Sequence, residues 1–100
     1  MRLDKFLQVT GLIKRRTIAH EACKRGLVLV NGVAAKPTRE VAAGNVIRLE
    51  LPRRLLEARL LQDPPASGTI SRVRRPEFIE IVRDEARAAP DPLDDWDRES

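Results

Sequence analysis

Apolar residues near the start of the chain recur at the spacing of an amphipathic helix. Leu3, Phe6 and Leu7 would share one side of such a helix. Asp4 stands near its beginning and Gly11 just beyond its end, as is typical of the two ends of a helix. The spacing therefore predicts a first helix of about two turns.

A second amphipathic segment follows a short linker, residues 12–16. Thr17 is a residue type that often caps a helix N-terminus. Small apolar residues after it would form the buried face: Ile18, Ala19, Ala22 and Cys23. Lys24 and Arg25 match the negative end of the helix dipole, and Gly26 suits a left-handed position that ends a helix. The sequence predicts a second helix capped by Thr17 and closed at Gly26.

An alternating apolar stretch, Leu27–Val30, runs directly into Asn31-Gly32. Asn-Gly is the strongest short-range hairpin signal, so a strand at Val33–Lys36 is expected to return from it. A turn at Ala43–Asn45 then leads into Val46–Leu51, where side chains alternate as in a strand. These segments predict three antiparallel strands packed on the two helices.

Residues 53–61 fit two structures. Their Leu, Glu, Ala and Arg residues favour a helix, whereas Leu56, Ala58 and Leu60 alternate as a strand would. Continuity of the sheet favours a strand, and the helix stays open as the alternative.

The C-terminal part is predicted to hold a linker, a helix and a tail. Residues 63–68 are rich in Pro, Ser and Gly, which is typical of a linker. Pro76, in a position that opens helices, is followed by apolar residues at helical spacing, so a helix is predicted to about Ala88. Residues 89–100 carry five acidic residues against one Arg and are predicted to be disordered.

These elements define an α+β fold: two N-terminal helices packed on a small antiparallel sheet, with a C-terminal helix and a disordered acidic tail. The expected division is a domain over residues 1–61, a linker and helix over 62–88, and the tail over 89–100. A chain of 100 residues with 42% hydrophobic and only 3% aromatic residues has room for one small domain, whose core must be Leu, Val, Ile and Ala.

Charge is unevenly distributed. Residues 1–61 carry 13 Lys or Arg against 5 Asp or Glu, a net +8, whereas residues 62–100 carry 6 against 10, a net −4. A basic first part fits an anionic partner such as RNA. No apolar run approaches the ~18 residues of a membrane span, and charge returns too early for a signal peptide. The sequence therefore predicts a soluble, cytoplasmic chain without a membrane partner.

Catalytic chemistry has little support in this sequence. The chain has one His, one Cys and no glycine-rich phosphate loop, so neither a disulfide, a metal site nor a cofactor is expected. His20 is interpreted as solvated or phosphate-contacting, Asp4 as a helix cap or the partner of a nearby cation, and Cys23 as a small buried side chain. A binding protein is expected rather than an enzyme.

Cations cluster where two helices are predicted to begin. Lys14–Arg16 precede the second helix and Arg2 opens the first, so their charges and the free N–H groups of a helix start would act on the same phosphates. A merely solvated surface is the alternative. Arginine binds phosphate with two donors, and exposed aromatic pairs for base stacking are absent, which favours folded RNA recognised through its backbone. The candidate RNA-binding residues are Arg2, Lys5, Lys14, Arg15, Arg16, Thr17, His20, Lys36 and Arg39.

Several ordered motifs resemble the RNA-binding domain named after small-subunit ribosomal protein S4. They are Arg2–Leu7, Lys14–Thr17 with Ala19, Gly26–Gly32, Lys36-Pro37 and Gly44–Ile47. The resemblance spans residues 1–51, with Asn45 where the family usually has Asp. Because no catalytic domain accompanies it, the chain is similar to stand-alone members that act in bacterial ribosome-associated quality control, relatives of the heat-shock fifteen-kilodalton protein.

The resemblance implies a set of partners. Members of that group bind large ribosomal subunits that hold P-site peptidyl-tRNA, so large-subunit rRNA, tRNA and a protein that adds a C-terminal tail to the nascent chain are the expected partners. Arg2 and Arg16 would contact the RNA. Two alternatives stay open: a ribosome recycling or assembly factor of the heat-shock type, and an accessory RNA-binding subunit of an RNA-modifying enzyme. A monomer is expected.

Overall fold

Helices at the start of the chain are followed by one antiparallel sheet. The computed structural model describes residues 1–51 and 54–86. Its helices are α1 (Leu3–Val9), α2 (Arg16–Lys24) and the one-turn α3 (Arg75–Phe78), which continues a 3₁₀ turn, Arg72–Arg74. Its strands are β1 (Val28–Val30), β2 (Val33–Ala34), β3 (Val46–Leu51), β4 (Arg54–Leu60) and β5 (Ile79–Ala86). The predicted α+β class is confirmed.

The five strands form a sheet in the order β2-β1-β3-β4-β5, and every neighbouring pair is antiparallel. Val30 pairs with Ile47, Ile47 with Ala58, and Ala58 with Ile81, so one row of side chains crosses four strands. Residues 54–60 are a strand, which confirms the choice made from sheet continuity.

Two predicted turns have the backbone that their residues favour. Asn31 has φ +51° and Gly32 φ +84°, as the tight hairpin between β1 and β2 requires. The Asn31 Oδ1 also accepts a hydrogen bond from the Val46 N–H at 2.9 Å, which ties the turn to β3. Gly26, with φ +74°, follows the end of α2 as predicted. The returning strand, at two residues, is shorter than the predicted Val33–Lys36.

The core lies between the two helices and one face of the sheet. Leu3, Phe6 and Leu7 of α1 are fully buried, together with Ile47 of β3. Burying each of these large side chains contributes on the order of 1.5–3 kcal/mol, so α1 is held by packing more than by its two turns. Cys23 is also buried, as predicted, and burial raises the pKa of its thiol to about 12.

The predicted cap of α2 is wrong by two residues. Helix α2 begins at Arg16, and Arg15 takes the extended cap conformation with φ −106° and ψ 129°. No side chain caps the helix. Thr17 is already helical, so its hydroxyl is not placed to accept from the first-turn amides.

The predicted C-terminal helix is also wrong beyond its first turn. Helix α3 ends at Phe78, and Ile79 has the extended backbone of β5, φ −132° and ψ 146°. The β-branched side chains of Ile79, Ile81 and Val82 suit a strand. The pairing of β5 with β4 satisfies backbone groups along the second edge of β4. The predicted helix end at 87–88 and the acidic tail at 89–100 lie outside the described residues, as does Arg53.

None of the helices within residues 1–51 and 54–86 has the length and the apolar sequence needed to cross a membrane.

Candidate functional site

A buried carboxylate lies where α1 and α2 meet. Asp4 is 2% exposed, and its Oδ1 accepts a hydrogen bond from the Lys5 N–H at 2.7 Å. The Asp4 Oδ2 accepts from the Arg2 Nη2 at 3.1 Å and lies 3.3 Å from the His20 Nδ1. The Arg16 Nη2 is 3.8 Å from the Asp4 Oδ1. One carboxylate thus contacts three basic side chains from two parts of the chain.

These contacts keep Asp4 ionised. Burial is the largest single effect and acts to raise the pKa of Asp4. The hydrogen bonds from His20 and the Lys5 N–H, together with the charges of Arg2 and Arg16, outweigh it and lower the pKa below the ordinary value. Asp4 is therefore a permanent negative charge at neutral pH that holds positive groups around it.

Backbone hydrogen bonds fix the start of α1 beside the loop that precedes β3. The Leu3 N–H donates to the Arg39 carbonyl at 2.7 Å, and the Asp4 N–H donates to the Pro37 carbonyl at 3.2 Å. Arg2, extended with φ −68° and ψ 149°, forms an isolated β-bridge with Glu40. The first-turn amides of α1 are thereby used by the protein itself.

The start of α2 is open by comparison. Arg16 and Thr17 are its first two residues, and His20 lies one turn further along the same side. With Arg2 and Asp4 they line an open cleft of about 400 Å³. This Asp4-centred cleft combines the positive end of a helix with cationic side chains.

The basic side chains of the cleft remain accessible despite their contacts with Asp4. The exposed fractions are 42% for Arg2, 45% for Arg16 and 45% for His20. Their contacts with one carboxylate leave most guanidinium donors unused, since each Arg has five N–H groups. The cleft can therefore receive an anion such as a phosphate through several donors at once.

The structure brings four of the nine predicted RNA-binding residues into this cleft: Arg2, Arg16, Thr17 and His20. Exposed Lys36 and Arg39 belong to the adjoining loop, joined by a hydrogen bond from the Arg39 N–H to the Lys36 carbonyl at 3.0 Å.

The other three candidates lie outside the cleft lining. Lys14 is exposed in the turn before α2, and Arg15 is the residue that precedes the first helical position of α2. Lys5 is on α1, but its side chain runs towards Gly68: its Nζ is 2.6 Å from the place that a Cβ on Gly68 would occupy.

The central position of Asp4 was only partly predictable. Sequence reasoning assigned it a nearby cation, and its contact with Arg2 confirms that. Its burial and its reach to α2 were missed. A signal exists in the spacing, because Asp4 lies three residues before Leu7 and so falls on the apolar side of α1.

Among the described residues, no group of three or more His, Cys, Asp or Glu side chains is arranged to hold a metal ion.

Comparisons with known proteins match the part of the chain that contains the cleft. The family model of the S4 domain matches residues 1–47, which include α1, α2, the β1–β2 hairpin and the loop before β3. A Helicobacter pylori protein (strain J99) named RQC P-site tRNA stabilizing factor is 48% identical over 64 residues, 64% of this chain and 76% of the relative. The chain belongs to the family of the RQC P-site tRNA stabilizing factors. A Listeria monocytogenes member is 43% identical over 60 residues, 60% of this chain and 65% of its own length.

Solved structures extend the likeness beyond the S4 domain. The solution structure of the hypothetical protein HP1423 has a TM-score of 0.71 and 40% identity, and covers 85% of this chain and 100% of its own. The trimeric structure of Vibrio cholerae heat shock protein 15 has a TM-score of 0.68 and covers 82% of this chain and 81% of its own. At 23% identity, that second likeness concerns the fold alone.

Proposed function

We propose that this member of the family is a non-enzymatic RNA-binding factor of ribosome quality control in the cytoplasm. It would bind large ribosomal subunits that carry peptidyl-tRNA, contact rRNA and the P-site tRNA, and assist the C-terminal tailing of the stalled nascent chain. The family's name supports the role, and the net +8 of residues 1–61 supports a polyanionic partner.

The Asp4-centred cleft is the observation that carries the proposal. It holds Arg2, Arg16 and His20 side by side, all partly exposed, next to the uncapped start of α2. An RNA phosphate in the cleft would accept hydrogen bonds from the guanidinium groups and from the first-turn amides of α2. Sequence-independent contacts of this kind recognise the position and shape of an RNA backbone.

Asp4 restrains the arginine side chains of the cleft before RNA binds, and this restraint is the proposed mechanism of recognition. A free arginine loses side-chain freedom when it binds, which costs about 1–2 kcal/mol of conformational entropy. Arg2 and Arg16 are already oriented by the same carboxylate, so less of that cost remains to be met on binding. A preorganised pair of arginines can thus stabilise one bound position of a tRNA relative to other positions.

The test is a salt series of binding to large ribosomal subunits that carry P-site tRNA. Arg2→Ala and Arg16→Ala should each weaken binding and reduce the magnitude of the slope of log K against log salt by roughly 0.7–0.9, the value of one lost phosphate contact. Arg25→Ala is the matched control, because Arg25 is at the other end of α2 beside Glu21. Circular dichroism checks that each variant is folded.

Binding of both cleft variants as tightly as the wild type at every salt concentration would contradict the proposal. Binding to assembly precursors in preference to tRNA-bearing subunits would instead favour a role in ribosome assembly. Arg25→Ala should retain the wild-type salt slope in either case.

A further inference from the structure

A second concentration of positive charge lies far along the sequence from the cleft. Residues 64–76 contain Arg72, Arg74 and Arg75 and no acidic residue, whereas residues 77–86 contain four acidic residues and one Arg. The three arginines fall within or directly after the 3₁₀ turn that precedes α3. Residues 62–100 carry a net negative charge, and this turn is a basic segment within them.

The turn is anchored on both sides. Ile70 before it and Phe78 after it are buried, at 8% and 3% exposure. The Arg75 Nε donates to the Val9 carbonyl at 3.2 Å, where its charge also suits the negative end of α1. Gly11 allows this close approach, since a Cβ there would lie 2.5 Å from the Arg75 Nη1. Such anchoring holds the turn in one place on α1.

The tip of the turn is free to bind. Val73 is 88% exposed. Arg72 is also exposed, and its side chain makes no hydrogen bond or ion pair with any other residue that the structure describes. Arg74 is partly engaged, since its Nε donates to the Glu77 Oε2 at 3.2 Å and its guanidinium lies 5.5 Å from the Phe78 ring centroid. The anchored turn thus presents a cationic side chain that pairs with no other described residue, next to an exposed apolar side chain.

Helix α1 connects this tip to the Asp4-centred cleft. Lys5 directly follows Asp4, and its side chain approaches Gly68, four residues before Arg72. Gly68 has φ +75°, and a side chain there would meet the Lys5 Nζ. The cleft, Lys5 and the Arg75 contact with Val9 therefore follow one another along α1, and the turn directly precedes Arg75.

We infer that the turn Arg72–Arg74 is a second RNA-contacting element, which binds RNA backbone beyond the phosphates held in the cleft. Arg72 supplies the phosphate contact, and Val73 packs against a sugar or an exposed base. This inference rests on the proposed function, because both surfaces are assigned to structured RNA of the same particle. An extended polyanion fits two separated basic surfaces better than a short acidic peptide would.

The same salt series tests the inference. Arg72→Ala should weaken binding to large subunits carrying P-site tRNA and lower the magnitude of the salt slope by roughly 0.7–0.9, and Arg16→Ala combined with Arg72→Ala should lower it by about the sum of the two. Arg83→Ala is the control, an exposed arginine of β5 whose Nη2 pairs with Glu85 at 3.1 Å. Val73→Ser should weaken binding without changing the slope, because no charge is lost.

A photo-crosslinking residue at position 73 identifies the partner. Crosslinks to rRNA or tRNA are expected, whereas crosslinks confined to a ribosomal protein would overturn the inference. Wild-type affinity of Arg72→Ala at every salt concentration would also overturn it. If Arg2→Ala and Arg16→Ala still weaken binding in that event, the proposed function stands and only the second element fails. Wild-type binding by all three variants would reject both.

Discussion

At the scale of single residues, Asp4 has the largest structural influence in the candidate site. A buried carboxylate is costly unless charges and hydrogen bonds compensate it. Here the compensation comes from Arg2, Arg16, His20 and a backbone N–H, and the first three are also the groups proposed to meet RNA. The stability of the fold and the proposed recognition of RNA are therefore linked through the Asp4 side chain.

Asp4→Asn should lower the free energy of unfolding at pH 7 by about 1–3 kcal/mol, because the amide leaves three basic side chains without their shared counter-charge. The pKa of Asp4 is lowered from its ordinary 3.8 in the folded chain, so its contribution is present above that pH and is lost as the pH falls below it. Urea unfolding of both proteins from pH 7 to pH 3 should show the difference shrinking only at the acidic end.

Asp84→Asn is the matched control for that comparison. Asp84 also pairs with an arginine, Arg54, at 2.7 Å, but both side chains are about half exposed and solvent screens the pair. Asp84→Asn should therefore lower the free energy of unfolding less than Asp4→Asn does. A loss for Asp4→Asn no larger than that of the control would show that the buried carboxylate does not stabilise the fold.

At the scale of elements, turn chemistry was the most reliable guide. Asn31-Gly32 fixed the hairpin, and Gly26 fixed the end of α2, because few residues other than Gly and Asn accept positive φ cheaply. Apolar spacing likewise identified α1, and alternation identified β3. These features are local, so a short stretch of sequence determines them.

Non-local features were missed for the corresponding reason. Phe78, Ile79 and Val82 are spaced as in a helix, yet Ile79 pairs with Leu60 in the sheet. The unsatisfied edge of β4 decides the outcome, and that edge exists only once the sheet has formed. The reach of Asp4 to Arg16 and His20 is of the same kind, because it depends on how two helices pack rather than on either helix alone.

The hairpin turn offers a direct test at this scale. Gly32→Val should lower the free energy of unfolding by on the order of 1–3 kcal/mol, because a β-branched residue is strained at φ +84°. A Cβ there would meet nothing within 4 Å, so backbone strain is the whole expected effect. Denaturant unfolding measures the change.

Gly32→Asn separates strain from other causes, because Asn tolerates positive φ better than Val. It should destabilise the chain less than Gly32→Val. Equal losses for the two variants would contradict an origin in backbone strain.

At the scale of the whole molecule, charge is divided between a basic and an acidic part. Residues 1–61, with a net charge of +8, include the candidate cleft. The net charge of −4 of residues 62–100 comes entirely from residues 89–100, because residues 62–88 carry equal numbers of acidic and basic residues. The turn Arg72–Arg74 is basic within the acidic part and is anchored on α1 of the basic part. In the proposed function, long-range attraction to RNA depends on the net charge of both parts, and short-range contact depends on the placement of a few arginines.

Removal of residues 89–100 tests that balance and the composition-based prediction of a dispensable tail. Truncation after Ala88 changes the net charge from +4 to +8, so RNA binding should tighten at low salt and the gain should fade as salt screens it. The thermal midpoint should stay nearly unchanged, since these residues carry few apolar groups. A full-length variant with the five acids of this segment changed to their amides should reproduce the binding gain. A large fall in the midpoint on truncation would instead show that Leu93 or Trp96 packs on the domain.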